Sequence, residues 1–378
     1  MTASVAPDPR RGPGSGLPIL GPLSTFARVF LLGTLAATVV AVILDFGLHA
    51  DETVVFIAAG AAILGLAWVV GLSTERLGSL TGPQVGGILN ATFGNIAELI
   101  IAFFALQAGL IEVVKASITG SIIGNLLLVL GASVLIGGLR HGTQKFSPQI
   151  ASANAALLVL AVIGLFVPAI FAFTITNPQQ GSLTEESVLV SIALMVGYVL
   201  SLIYQFSNPS LTLGGHGEPE DHAGPAWSMR TAIAVLLGAA ALLALLSEIL
   251  VSSIGGFVES FGLSAFFVGV VLVPTIGNLA EHLVAVQLAA KDKMEFAMAV
   301  SYGSSLQVAL FVAPVLVFLG LLLGQPMDLV FTPLEVAAVG AAVGISALIA
   351  LDGESNWLEG ALLMIVYVIL AVSFFEFR

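Results

Sequence analysis

Gly94-Asn95-Ile96-Ala97-Glu98 occurs twice in this chain, returning 183 positions later as Gly277-Asn278-Leu279-Ala280-Glu281. Each copy places a carboxylate inside a long apolar segment, where a charge costs about 2.5 kcal/mol or more even on lenient insertion scales. Aligning residues 92–121 with 275–304 at that offset gives ten identities in thirty. Five are Gly or Ala and carry little information in a chain this rich in both. The other five, at Thr92, Asn95, Glu98, Glu112 and Ser121, are polar residues in polar-poor sequence and mark a true internal repeat.

The surroundings of the repeat set the class of protein. Of 378 residues, 58% are hydrophobic and 9% charged, with a mean hydropathy of +1.09; soluble domains carry about 25% charged residues. Several apolar runs exceed the ~20 residues that cross a bilayer as a helix. The formal charge of −12 comes from 23 acids scattered over loops and segment ends, which read as solvated carboxylates. There are no cysteines, which excludes a disulfide framework, a thiolate metal site and a cysteine nucleophile. The partner is therefore a lipid bilayer, and no feature points to nucleic acid.

Taken in order, residues 1–27 are rich in Pro, Gly and Ser and read as a disordered tail. Its Arg10-Arg11 pair invites a twin-arginine export signal, but no small-residue cleavage site follows, so an uncleaved first helix over 28–50 is expected. Further apolar segments fall at about 54–72, 82–109, 114–139, 150–173, 186–206, 229–253, 263–290, 294–323, 332–351 and 357–376, which makes eleven spans. Nine Lys or Arg residues (Arg10, Arg11, Arg28, Arg76, Arg140, Lys145, Arg230, Lys291, Lys293) then share the side of the N-terminus, against Lys115 and Arg378 on the other. Positive charge marks the cytoplasmic face, so the N-terminus is expected inside and the C-terminus outside.

Setting the first helix aside leaves two sets of five spans, 51–206 and 226–378, joined by a polar linker at 207–225. Because five is odd, the halves must be inverted relative to each other. The expected fold is an all-α integral membrane protein with 11 transmembrane helices: a first helix plus two inverted five-helix repeats, an arrangement that places sites near the midplane. The linker contains Glu218, Glu220 and Asp221 and reads as an acidic cytoplasmic connection, with regulatory cation sensing as its functional alternative.

Asn95 and Glu98 are three apart, as are Asn278 and Glu281, so each amide shares a helix face with its carboxylate. Gly94 and Gly277, with Pro274 upstream, are residues expected where a membrane helix bends and frees backbone carbonyls. Carbonyl, amide and carboxylate oxygens are the ligands of a hard cation such as Ca2+. The following span of each half adds Ser117, Ser121 and Asn125, and Ser301, Ser304, Ser305 and Gln307. Serines alone read as hydroxyls bonded to their own helices, whereas Asn125 and Gln307 need partners in hydrocarbon. Gly120, Gly124 and Gly303 would admit close helix approach. Two unpaired carboxylates meeting across a pseudo-two-fold would repel if both ionised, and so want protons or a divalent cation. Exchanging one for the other is antiport.

These residues resemble the calcium/proton antiporters of the cation/calcium exchanger superfamily. The likeness is carried by Asn90-Ala-Thr-Phe-Gly-Asn95-Ile-Ala-Glu98-Leu with Gly120-Ser121 and Asn125-Leu-Leu-Leu-Val-Leu-Gly131. It continues in Gly277-Asn278-Leu-Ala-Glu281-His282, Lys291-Asp292-Lys293 and Gly303-Ser304-Ser305-Leu-Gln307. The resemblance implies Glu98 and Glu281 as central calcium ligands and proton carriers, with Asn95, Asn278, Ser121, Asn125, Ser304 and Gln307 completing or flanking the site. It implies Ca2+ as transported substrate, no cofactor and a membrane location; the short loops point to a prokaryotic plasma membrane, with a vacuolar membrane as the alternative. The sequence departs from the family at a short acidic segment and at Asp292, where asparagine is expected.

Glu75 and Glu248, near the ends of the first helix of each half, read as entry carboxylates; for Glu75 a salt bridge to Arg76 is the structural alternative. His282 faces Leu99 in the repeat alignment and reads as a non-symmetric modulator. An intramembrane hydrolase is disfavoured, since neither H-E-x-x-H nor G-x-S-x-G is present. A sodium/calcium exchanger and a cation channel remain as alternatives to calcium/proton exchange.

Overall fold

The computed structural model describes residues 19–20, 23–174, 180–207 and 227–377. They form helices α1 (Thr25–Gly47), α2 (Glu52–Thr81), α3 (Pro83–Phe93), α4 (Ile96–Gln107), α5 (Ile111–His141), α6 (Pro148–Thr174) and α7 (Gln180–Ser207). After the linker come α8 (Met229–Ser252), α9 (Ile254–Phe261), α10 (Ala265–Ala289), α11 (Met294–Leu323), α12 (Pro333–Ile349) and α13 (Trp357–Glu376). Among the described residues, nine helices are long and apolar enough to cross a membrane: α1, α2, α5 to α8, α10, α11 and α13. The protein is thus an all-helical integral membrane protein. The two remaining expected segments are shorter helices, α4 of 12 residues behind α3, and α12 of 17. The linker acids Glu218, Glu220 and Asp221 lie outside the described residues.

Local chemistry sets the ends of these helices. Ser24, Asp51 and Ser228 each accept a backbone N–H at the start of α1, α2 and α8. Thr332 with Glu335, and Asn356 with Glu359, form capping boxes on α12 and α13. Asp292 sits between α10 and α11 at φ +62°. That left-handed conformation is open to Gly, Asn and Asp, which explains why the expected asparagine is replaced without a backbone penalty.

The two copies of the repeated motif are not equally broken. In the first, the helix stops at Phe93 and restarts at Ile96, with Asn95 at φ −99°, ψ 24°. In the second, α10 runs unbroken through Gly277, contrary to the expectation of a bend there. Its irregularity lies upstream, in a π-helical turn at Val268–Leu272 that precedes Pro274. Proline has no N–H to donate to the preceding turn, so the widened turn forms where its bond is missing. Two further π-helical turns, Gly124–Val129 in α5 and Val308–Val312 in α11, fall at nearly equivalent repeat positions.

α5 lies at the centre, with 72% of its most apolar stretch buried, and α1 at the periphery with 22%. Packing is reciprocal between halves. α4 packs on α8 and α10 on α2; α5 packs on α12 and α13, and α11 on α6 and α7. The crossing of α5 and α10 depends on Gly120, where an added Cβ would collide with the carbonyl of Val270 and lie 2.7 Å from Pro274. Gly124 and Gly303 have open space instead, so of the three glycines expected to permit close approach only Gly120 does so.

Candidate ion-binding site

The start of α4, the middle of α10 and the polar faces of α5 and α11 converge in the protein interior. Glu98 is 8% exposed, and one carboxylate oxygen, Oε1, accepts hydrogen bonds from Ser121 Oγ on α5 and Asn278 Nδ2 on α10. Glu281 Oε2 accepts from Ser304 Oγ on α11. The two serine–glutamate pairs have the same spacing of 23 residues and are repeat equivalents. Ser121 and Ser304 thus bond the glutamates, while Ser117, Ser301 and Ser305 bond carbonyls of their own helices, at 2.8, 3.1 and 2.9 Å.

The repeated glycines let the two motifs meet. A Cβ on Gly277 would lie 2.8 Å from Glu98 Cγ, and one on Gly94 would lie 3.4 Å from Glu281 Oε1 and 3.3 Å from Gln307 Oε1. Each glycine therefore seats the other half's glutamate side chain against backbone. The amides break this symmetry: Asn278 donates to Glu98, but Asn95 donates to Gln307 Oε1 rather than to Glu281. The reason is local, because the repeat counterpart of Gln307 is Gly124, which has no side chain to offer Asn278.

Two buried oxygens, Asn95 Oδ1 and Glu98 Oε2, have no hydrogen-bond partner. Buried oxygens are rarely left unpaired, and here an oxygen-seeking cation or a proton would satisfy them. Asn125 is also fully buried with its Nδ2 unpartnered. Among the described residues no group of three or more acids or histidines converges, so the site offers two carboxylates, whose charge one divalent cation or two protons would balance.

The other expected residues are placed less centrally. His282 lines a narrow, largely enclosed cleft with Gly120, Ser121, Asn278 and Tyr367, and its Nε2 is buried without a partner. Glu75 and Glu248 are exposed, next to buried Thr74 and Ser247, and neither bonds Glu98 or Glu281. Arg76 donates through Nε to the Trp227 carbonyl at 2.8 Å. Lys115, in the first turns of α5, pairs with Asp328 rather than with either glutamate. Sequence reasoning missed Glu335, a carboxylate only 2% exposed that accepts from Thr119 at 3.1 Å. Its signal was present as Thr332-Pro333-Leu334-Glu335, a capping box at the head of an apolar segment.

The sequence matches the family described as sodium/calcium exchanger protein over residues 52–207 and 231–375. It is 44% identical over 347 residues to the Ca(2+)/H(+) antiporter of Aphanothece halophytica, covering 88% of this chain and 93% of that protein. It is 40% identical over 358 residues to the Ca(2+)/H(+) antiporter ChaA of Bacillus subtilis, covering 92% and 99%. Among solved structures, selenium-substituted Ca2+/H+ antiporter protein YfkE superposes with a TM-score of 0.79 at 38% identity, covering 92% of this chain and 99% of that one. The H+/Ca2+ exchanger CAX shares the fold, with a TM-score of 0.66 at 15% identity over 93% of this chain and 92% of that one.

Proposed function

The chain belongs to the sodium/calcium exchanger protein family, and from that premise we propose that it exchanges Ca2+ for H+ across a membrane by alternating access, with Glu98 and Glu281 taking cation and protons in turn. The observation that carries the site assignment is the matched pair of glutamates, each held by a serine 23 residues on and each seated against the other half's glycine. Asn95, Asn278, Asn125 and Gln307 supply the remaining polar atoms, and Ca2+ is cargo rather than a resident cofactor. Opposed carboxylates cannot both stay ionised and empty in a low-dielectric core, so the cycle alternates between the protonated and the calcium-bound site.

The finer architecture we propose is eleven spans, with α1 followed by two inverted sets of five over 51–206 and 226–378. Hydrogen bonds between loops support the parity. Gln144 bonds Asp292 at 2.8 Å, and β1 (Gln144–Lys145) pairs with β2 (Glu354–Ser355), which groups the loops at 141–147, 290–293 and 350–356 on one face. Lys115 bonds Asp328 and Val330, which groups 108–115 with 324–332 on the other. α11 and α12 must then both cross, although α12 is short. Lys and Arg counts make the first face cytoplasmic, and the bacterial relatives support a prokaryotic plasma membrane. Reporter tags at the N-terminus and within 207–225 are expected inside and one at Arg378 outside, as read by an impermeant reagent. Finding both termini on one side removes the eleven-span reading.

Proton-coupled calcium uptake into everted vesicles tests the function. Uptake is expected to stop when the pH gradient is collapsed. Uptake that continues marks a channel, and uptake restored by a sodium gradient in place of the proton gradient marks a sodium/calcium exchanger.

A further inference from the structure

Alternating access requires each face of the site to be sealed in turn, and the fold carries a built seal on the face opposite the Gln144 loop. Residues 325–332 run as a strap between α11 and α12 with alternate side chains Met327, Leu329 and Phe331 buried to 0, 0 and 2% exposure. Polar groups between them tie the strap down. Lys115 Nζ is paired with Asp328 Oδ1 and donates to the Val330 carbonyl at 2.9 Å, and Asp328 Oδ1 also accepts from Val330 N at 3.0 Å. Leu329 N donates to Ser187 Oγ at 2.9 Å, and Glu335 accepts from Thr332 Oγ1 at 2.8 Å and from Thr119 Oγ1 of α5 at 3.1 Å.

Lys115 and Thr119 lie one turn apart on one face of α5, while Ser117 and Ser121 lie on the opposite face, toward Glu98. The strap therefore grips the helix that carries the serine on Glu98. A second strap, residues 142–147, sits at the repeat-equivalent place and is held differently, by Gln144 to Asp292 and to the Ala289 carbonyl. Each strap has a glycine beneath it at equivalent positions: a Cβ on Gly137 would collide with the Gln144 side chain, and one on Gly320 would lie 2.6 Å from Gln325 O and 3.1 Å from Met327 N. The second strap has an ion pair of its own, Lys145 with Glu354 at 3.2 Å, but it is 80% and 48% exposed and so solvated, unlike that of Lys115 with Asp328. The Lys115–Asp328 pair is 16% and 21% exposed, sheltered enough to favour contact yet open enough for water to receive the charges when it parts.

We propose that Lys115 and Asp328 are a gate pair: positioning residues whose ion pair latches the 325–332 strap onto α5 and holds the site closed on that face, so that it must part once in each transport cycle. The proposal rests on the alternating-access reading but is tested without transport, so the two fail separately. The native chain has no cysteine, which makes Ser117→Cys, between the pair and Ser121, a single reporter of the sealed path. Its alkylation by a membrane-impermeant maleimide, applied to each side in turn, is the measurement.

Lys115→Met and Asp328→Asn are each expected to raise the rate from the strap's side about fivefold, the factor one partly buried ion pair is worth. The reversed pair, Lys115→Asp with Asp328→Lys, is expected to return the rate to the native value. If the single variants fail to accumulate, comparison of the reversed pair with the uncharged pair Lys115→Met/Asp328→Leu decides in the same way. Single variants that alkylate at the native rate, or a reversed pair as reactive as the uncharged variants, overturn the gate.

Discussion

Glu98→Gln and Glu281→Gln are each expected to abolish calcium-dependent proton movement in proteoliposomes while leaving the folded protein intact. The amide keeps the shape of the side chain and an oxygen to accept from Ser121 and Asn278, or from Ser304. It cannot release a proton or supply the negative charge that balances a divalent cation. Removing one partner of a buried charge pair costs about 3–5 kcal/mol, so calcium affinity is expected to fall by roughly two to three orders of magnitude. Calorimetry in buffers of different ionisation enthalpy gives a second readout, because calcium binding to the native protein should release protons and Glu98→Gln should release fewer. Near-normal exchange in either variant would remove the two-carboxylate site. Tight calcium binding without proton release between about pH 6 and 8 would favour sodium coupling instead.

Gly120→Ala is expected to prevent accumulation of folded protein, whereas Gly124→Ala, one turn on, is expected to be silent for stability. The methyl group at Gly120 would occupy the space of the Val270 carbonyl and press on Pro274, both of which belong to the backbone or ring of a packed helix. Neither can rotate away as a flexible side chain does. Overpacking of that kind costs about 3 kcal/mol or more, a large part of the stability of a typical domain. At Gly124 nothing lies within 4 Å of the added methyl. Thermal melts in detergent distinguish the two, and equal stability of the variants would mean that α5 and α10 do not cross at Gly120. The same reasoning separates position from chemistry at Gly277, where the added methyl would meet Glu98 itself.

The class of protein, its internal repeat and its two central acids were legible in the sequence, and for a physical reason. Burial in a bilayer is paid for residue by residue along one segment, so apolar runs and the few polar residues that interrupt them are visible in one dimension. Five polar matches at a fixed offset of 183 residues were enough to pair Glu98 with Glu281 and Ser121 with Ser304. Which hydroxyl turns toward a glutamate and which toward its own helix was not legible, because Ser117 and Ser121 differ only in what stands opposite them after packing. Nor did spacing reveal that Gly94 and Gly277 each seat the other half's acid, that Asn95 turns to Gln307, or that Lys115 is taken by Asp328, 213 residues away. Those choices are contacts between segments far apart in the chain. They depend on side-chain direction at helix crossings, which only the tertiary structure fixes.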